Sequence, residues 1–210
     1  MSDLDHGVSF YFNCFLPNPP GTNPISQVLS KQNFSTMLFD LSKSIEILER
    51  TPLVLKTLLS NLSSDWTQQN EGGESWSPYD VIAHLIHCEQ TDWIVRTKII
   101  LSEKEDRVFE PFDRFAHLHT GQEKSLEELL EEFQHLREKS LVALKSMQID
   151  EEKLERTGIH PAFGEVKLAQ LLSCWTAHDL GHIVQITRVM AKQYKDEVGP
   201  WIEYLSVLRK

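Results

Sequence analysis

Apolar residues recur every three or four positions along four stretches of the chain, roughly Phe34–Ser60, Ser77–Ser102, Ser125–Met147 and Glu165–Gln193. Such spacing lays an apolar stripe along one face of an α-helix. Each stripe needs the other helices to cover it, so the pattern predicts an all-α, four-helix bundle. No stretch alternates in the two-residue manner of a half-buried strand. Ser77 before Pro78 suits an N-cap followed by proline in the first turn, and Ser125 is followed by Glu127 and Glu128, where the helix dipole favours negative charge. Pro52 falls inside the first stretch and is expected to kink or split it. Gln68–Glu74, with Gly72 and Gly73, and Thr157–Gly164, with Gly158, Pro161 and Gly164, read as loops. The longer connection Glu103–Lys124 leaves room for a crossover. Residues 1–32 include P-N-P-P-G-T-N-P, which cannot hold a helix, and are read as a flexible N-terminal leader. Residues 33–210 are expected to form one helical domain.

Composition narrows the setting. A net charge of −10 spread over Glu-rich helical segments, without a basic cluster, argues against a nucleic-acid partner. Cys14, Cys88 and Cys174 form no C-x-x-C pair and leave an odd thiol, which fits a reducing compartment. No run of eighteen apolar residues and no signal-peptide pattern is present, so the expected localisation is cytoplasmic, with no membrane partner.

The chemistry lies in the histidines. In W-T-A-H-D-L-G-H-I-V-Q-I-T-R, Trp175–Arg188, His178 and His182 are four residues apart, a spacing that stacks two imidazoles on one helical face. With Leu171 at zero and about 100° per residue, they fall at about −20° and +20°, in the middle of the arc of Leu168, Trp175, Ile186 and Val189. Imidazoles in an apolar interior need partners, either buried polar groups or a shared cation. An open zinc-type site takes three protein ligands, and no histidine follows His182. The third must come from upstream. On the second helix His84 lies about 60° from the apolar Val81, in a strip with Cys88 and Val95, whereas His87 lies about 120° away. His84 is therefore the better ligand, and His87, His117, His119 and His135 are read as solvated, loop or exposed-face residues. His160 is placed either at the mouth of the site or as a loop cap, while Gln185 and Trp175 read as core or pocket wall.

The stretches W-x-P-x-D-V-I-A-H-L-I-x-C-E-x-x-D-W-x-x-R, Trp76–Arg96, and H-P-A-F-G…L-A-Q-L-L…W-x-A-H-D-L-G-H-I-V-Q-I, His160–Ile186, resemble the DinB-like superfamily with its YfiT-like thiol-transferase relatives. The resemblance covers about residues 34–208. It implies a bundle in up-down-down-up order, a homodimer as an expectation, and a divalent metal, zinc or nickel, on His84, His178 and His182. It also implies a small-molecule substrate, with a low-molecular-weight thiol as one expectation and hydrolysis as another. A zincin-like use of Asp179 as base is disfavoured, because a residue next to His178 points about 100° round the helix. Asp179 is expected instead to orient an imidazole or contact a neighbouring helix. A non-catalytic metal-binding or interaction bundle is the alternative.

Overall fold

The computed structural model describes residues 37–120 and 124–209, so the expected leader lies outside the described residues. In chain order the elements are α1 (Leu41–Leu59), α2 (Ser64–Gln68), α3 (Pro78–Thr91), α4 (Trp93–Leu101), α5 (His117–Thr120), α6 (Leu126–Ser146) and α7 (Glu151–Glu155). The strands β1 (Thr157–His160) and β2 (Gly164–Lys167), the helix α8 (Leu168–Lys192) and two 3-10 turns complete the chain. Capping boxes open α3 and α6: Ser77 pairs with Asp80, and Ser125 with Glu128. Among the described residues no helix is long and apolar enough to cross a membrane.

Helices α1, α3 with α4, α6 and α8 form the four-helix bundle, and the composition of its core gives their directions. One apolar cluster joins Leu55 and Leu59 late in α1 to Val81 and Ile82 early in α3, Leu129 and Leu130 early in α6, and Ile186 late in α8. The other joins Leu48 in α1 to Trp93 and Ile94 in α4, Leu141 and Leu144 late in α6, and Leu168 and Leu171 at the start of α8. Hence α1 and α8 run one way and α3 and α6 the other, the expected up-down-down-up order. Because α3 and α6 are parallel, the connection between α4 and α6 must travel back along the bundle, and on its way it places Phe109, Phe112 and His117 over the α3–α8 face.

Several expectations need correction. Pro52 does not split α1, which runs unbroken from Leu41 to Leu59. A proline removes the N–H that would have bonded to the carbonyl four residues earlier, here that of Leu48. That carbonyl instead accepts a hydrogen bond from Arg137 Nη1 at 2.9 Å. The second helix does break, at Asp92, whose backbone (φ −112°, ψ −80°) leaves the helical region. Beyond the break Val95 is exposed, whereas His84 is buried. Thr157–Gly164 is not simply a loop, and α8 starts at Leu168 rather than Glu165: residues 157–167 form an antiparallel hairpin, with Thr157 opposite Lys167 and His160 opposite Gly164. Strands of four residues are too short for their alternation to stand out. The hairpin is held to the returning connection by Phe109 N–H donating to Ile159 O and Ile159 N–H donating to Arg107 O, at 2.9 and 2.8 Å.

A buried ionic cluster ties all four bundle helices together. Arg137 of α6 donates through Nη1 and Nη2 to the two carboxylate oxygens of Asp179 on α8 (2.6 and 3.0 Å) and through Nε to Glu89 of α3 (2.9 Å), in addition to Leu48 O of α1. The fork-to-fork pairing with Asp179 is the strong bidentate geometry.

Candidate functional site

Just beside that cluster, α3 and α8 turn their histidines towards each other. The Nε2 of His178 lies 3.3 Å from that of His84 and 3.0 Å from that of His182. All three side chains are largely enclosed, and burial is the main reason their imidazoles are held below the ordinary 6.5: His84 falls to about 2 and His178 to about 3, each lowered further by neighbouring histidines. Neutral imidazoles are the form that offers a lone pair. Gln185 Oε1 sits 2.9 Å from His182 Nδ1, so that nitrogen carries the proton and donates, leaving Nε2 unprotonated and facing the other two rings. The Nδ1 atoms of His84 and His178 are buried without a hydrogen-bond partner among the described residues.

A fourth donor is close. Cys88, one turn after His84, is 1 % exposed and its Sγ lies 3.4 Å from His84 Nε2. One donor atom each from His84, Cys88 and His178 lie within 4.8 Å of one another, a compact group suited to a metal ion, whereas His182 joins this group through its contact with His178. The Nε2 of His178 faces a neutral ring nitrogen on each side, and each such contact needs one protonated nitrogen to be a hydrogen bond. A cation accepting their lone pairs fits the arrangement better than a water-free contact does.

The walls are aromatic. Trp76 packs on His84 (ring centroids 4.7 Å apart) and stacks parallel to His182 (6.4 Å), and Trp93, itself stacked on Trp175, meets His178 edge-on at 5.1 Å. His117 is not an exposed residue as expected: it is 2 % exposed, with its ring 4.5 Å from Trp76 and 5.3 Å from His84. The returning connection carries it there, which its position in the sequence could not show. His87 is half-buried against Phe112 and not fully solvated, and His135 is exposed as expected. Asp179 does contact a neighbouring helix, through Arg137, and being fully buried it has no free oxygen for a zincin-like base. Trp175 is core, and Gln185 is a pocket wall bonded to His182.

Cavities flank the histidines on two sides. One of about 560 Å³ is lined by Cys88, Trp93, Phe109, Phe112 and His178, with His160 on the hairpin; His160 also caps its loop, its Nδ1 accepting from Ala162 N–H at 3.1 Å. Its polar lining includes the Asp92–Arg96 pair (2.8 Å), with Glu165 and Gln170. Burial raises the Asp92 carboxyl to about 6 against the opposing pull of Arg96. The other cavity, about 340 Å³, is polar and includes His84, His182, Arg114 and the Glu71–Arg188 pair.

Cys88, placed only in the strip beside His84, and Arg137 were not expected at the site, and both left a signal in the sequence. Cys88 follows His84 at the same four-residue spacing that singled out His178 and His182, and Arg137 interrupts the otherwise apolar stripe of Leu130, Phe133, Leu141 and Leu144.

No curated protein matches the chain. Among solved structures it is similar to YfiT from Bacillus subtilis, at 19% identity and a TM-score of 0.64, over 78% of this chain and 93% of that one. YfiT is described as a probable metal-dependent hydrolase with an unusual four-helix bundle topology, and at this identity the likeness speaks for the fold. The model of the DinB superfamily matches residues 47–186, two thirds of the chain and every residue of the histidine cluster, and the protein therefore belongs to the DinB superfamily.

Proposed function

We propose that the protein is a metal-dependent enzyme that acts on a small, largely apolar substrate by thiol transfer or hydrolysis, with His84, His178 and His182 as ligands of zinc or nickel. The observation that carries this reading is the convergence of three neutral Nε2 atoms from two helices, one of them fixed in the ligating tautomer by Gln185. A cation held there supplies Lewis-acid polarisation and lowers the pKa of a bound water or thiol. The chain's own residues supply the rest. Trp93, Phe109 and Phe112 form an apolar seat, and the enclosing Trp76 limits access of water to the histidines. Asp92, raised to about 6, is the carboxylate of that cavity with a pKa suited to taking a proton near neutrality.

The test begins with elemental analysis of protein purified without an affinity tag. Wild type should carry about one zinc or nickel, and His84→Ala, His178→Ala and His182→Ala should each lose it, while His135→Ala should not. Turnover is then followed with a thiol plus an apolar electrophile, and separately with apolar esters. Asp92→Asn should retain metal and lose most turnover, on the order of a hundredfold. Wild type that takes up neither metal when supplied would overturn the reading. One observation favours a second reading, a non-catalytic metal-binding bundle: Cys88 lies beside the imidazoles, where a fourth protein donor would close the coordination sphere.

A further inference from the structure

We infer that Cys88 belongs to the ligand set, its Sγ taking the fourth position so that the resting site is a three-histidine, one-thiolate centre. The inference rests on the metal reading above. Tetrahedral zinc with Zn–N of about 2.0–2.1 Å and Zn–S of about 2.3 Å sets its donors about 3.3 Å apart for two nitrogens and about 3.6 Å for nitrogen and sulfur. The corresponding separations here are 3.3 Å for His84–His178, 3.0 Å for His178–His182 and 3.4 Å for His84–Cys88. Three of the six edges of a tetrahedron are therefore near their expected lengths, one of them ending on sulfur; His84, Cys88 and His178 already lie within 4.8 Å of one another, and His182 adjoins that group through His178.

The position of Cys88 points the same way. It is buried, it stands one turn from His84 on α3, and the polar atom that its sulfur approaches is a ring nitrogen of the cluster. When a cation binds, the S–H bond breaks, the electron pair stays on sulfur to form the metal–sulfur bond, and the proton passes to solvent. Cys88 also lines the 560 Å³ cavity together with His178, so both donors border the space where an apolar substrate would fit. Without a fourth protein donor, the centre would keep a position open to that cavity. Replacing it with a non-ligating side chain therefore makes the metal accessible to small exogenous ligands.

Cobalt(II) is the probe, because its visible absorption reports tetrahedral coordination and its near-ultraviolet thiolate-to-cobalt charge-transfer band reports sulfur. Metal-free full-length protein is titrated with cobalt as wild type, Cys88→Ser, Cys88→Ala and the Cys14→Ser/Cys174→Ser double variant. Wild type and the double variant should show both absorptions. The two Cys88 variants should keep the visible bands, lose the charge-transfer band, and change their visible spectrum on adding azide, which the wild type should resist. Visible bands without charge transfer in the wild type would overturn the role of Cys88 while leaving the histidine site standing. So would a charge-transfer band that survives in Cys88→Ser or disappears in the double variant. Wild type with neither absorption would instead overturn the metal reading itself.

Discussion

Arg137 places a permanent charge in the middle of the bundle, and the surrounding groups share it unequally. Asp179 meets it with both oxygens, whereas Glu89 meets it with Oε1 alone. Burial raises the Glu89 carboxyl more strongly than Arg137 lowers it, which tilts Glu89 towards its neutral form. Removing one partner of a buried pair exposes the other to an uncompensated low-dielectric environment, at about 3–5 kcal/mol. Asp179→Asn should cost that much, and Glu89→Gln distinctly less, because glutamine resembles a form that burial already favours. Urea denaturation of the two variants checks the order, and equal losses would sink the argument. The three histidines could be read from the sequence because helical spacing is a local property. Cys88 shares that spacing yet was passed over, and His117 arrives from a connection whose path depends on helix direction, which no local pattern carries.

The helices were legible as elements because their stripes run for many turns, while the two departures from regularity were not. The break at Asp92 is one residue long, and the hairpin pairs strands of four. Each departure is nonetheless held by specific contacts. A Cβ at Gly158 would lie 2.6 Å from Phe109 Cε1 and 2.9 Å from Ile100 Cγ1, so the hairpin can lie against α4 and the returning connection only with glycine there. Gly158→Ala should destabilise by about 1–3 kcal/mol through overpacking and displace Phe109 from the cavity wall, visible as a lower Tm together with weaker substrate binding. At the opposite cavity Glu71, ahead of α3, binds Arg188 of α8 with both oxygens (2.8 and 2.9 Å) and Lys192 at 3.0 Å. The hydrogen bonds from Arg188, foremost, hold its carboxyl at about 2, below the ordinary 4.5. A carboxylate depressed in this way contributes stability that is complete above about pH 4.5 and is lost as pH falls through about 2. The stability difference between wild type and Glu71→Gln should therefore be flat from neutral pH to about 4.5 and shrink below it. A difference that stays constant down to about pH 2 would show that the ion pair contributes nothing.

Across the whole molecule the candidate centre does what the rest of the α3–α8 interface does with apolar contacts: it joins antiparallel helices that are far apart in the chain. His84 and His178 are separated by 94 residues, so an ion held between them constrains the folded chain and has no comparable preformed site in the unfolded one. By mass action, a ligand at a hundred times its dissociation constant stabilises the native state by about 2.7 kcal/mol. For a domain of this size each kcal/mol moves Tm by about 2–4 °C. Metal-free protein should therefore gain on the order of 5–10 °C when zinc or nickel is supplied in that excess, and the gain should reverse with a chelator. His178→Ala removes the nitrogen that touches both other imidazoles, and should abolish the shift while leaving the metal-free Tm within a few degrees of wild type, since the Arg137 cluster that ties the four helices makes no bond to it. Differential scanning calorimetry of both proteins, with and without metal, decides the matter. A shift of equal size in wild type and His178→Ala would place the stabilising ion elsewhere on the surface and remove the link between this centre and the stability of the bundle.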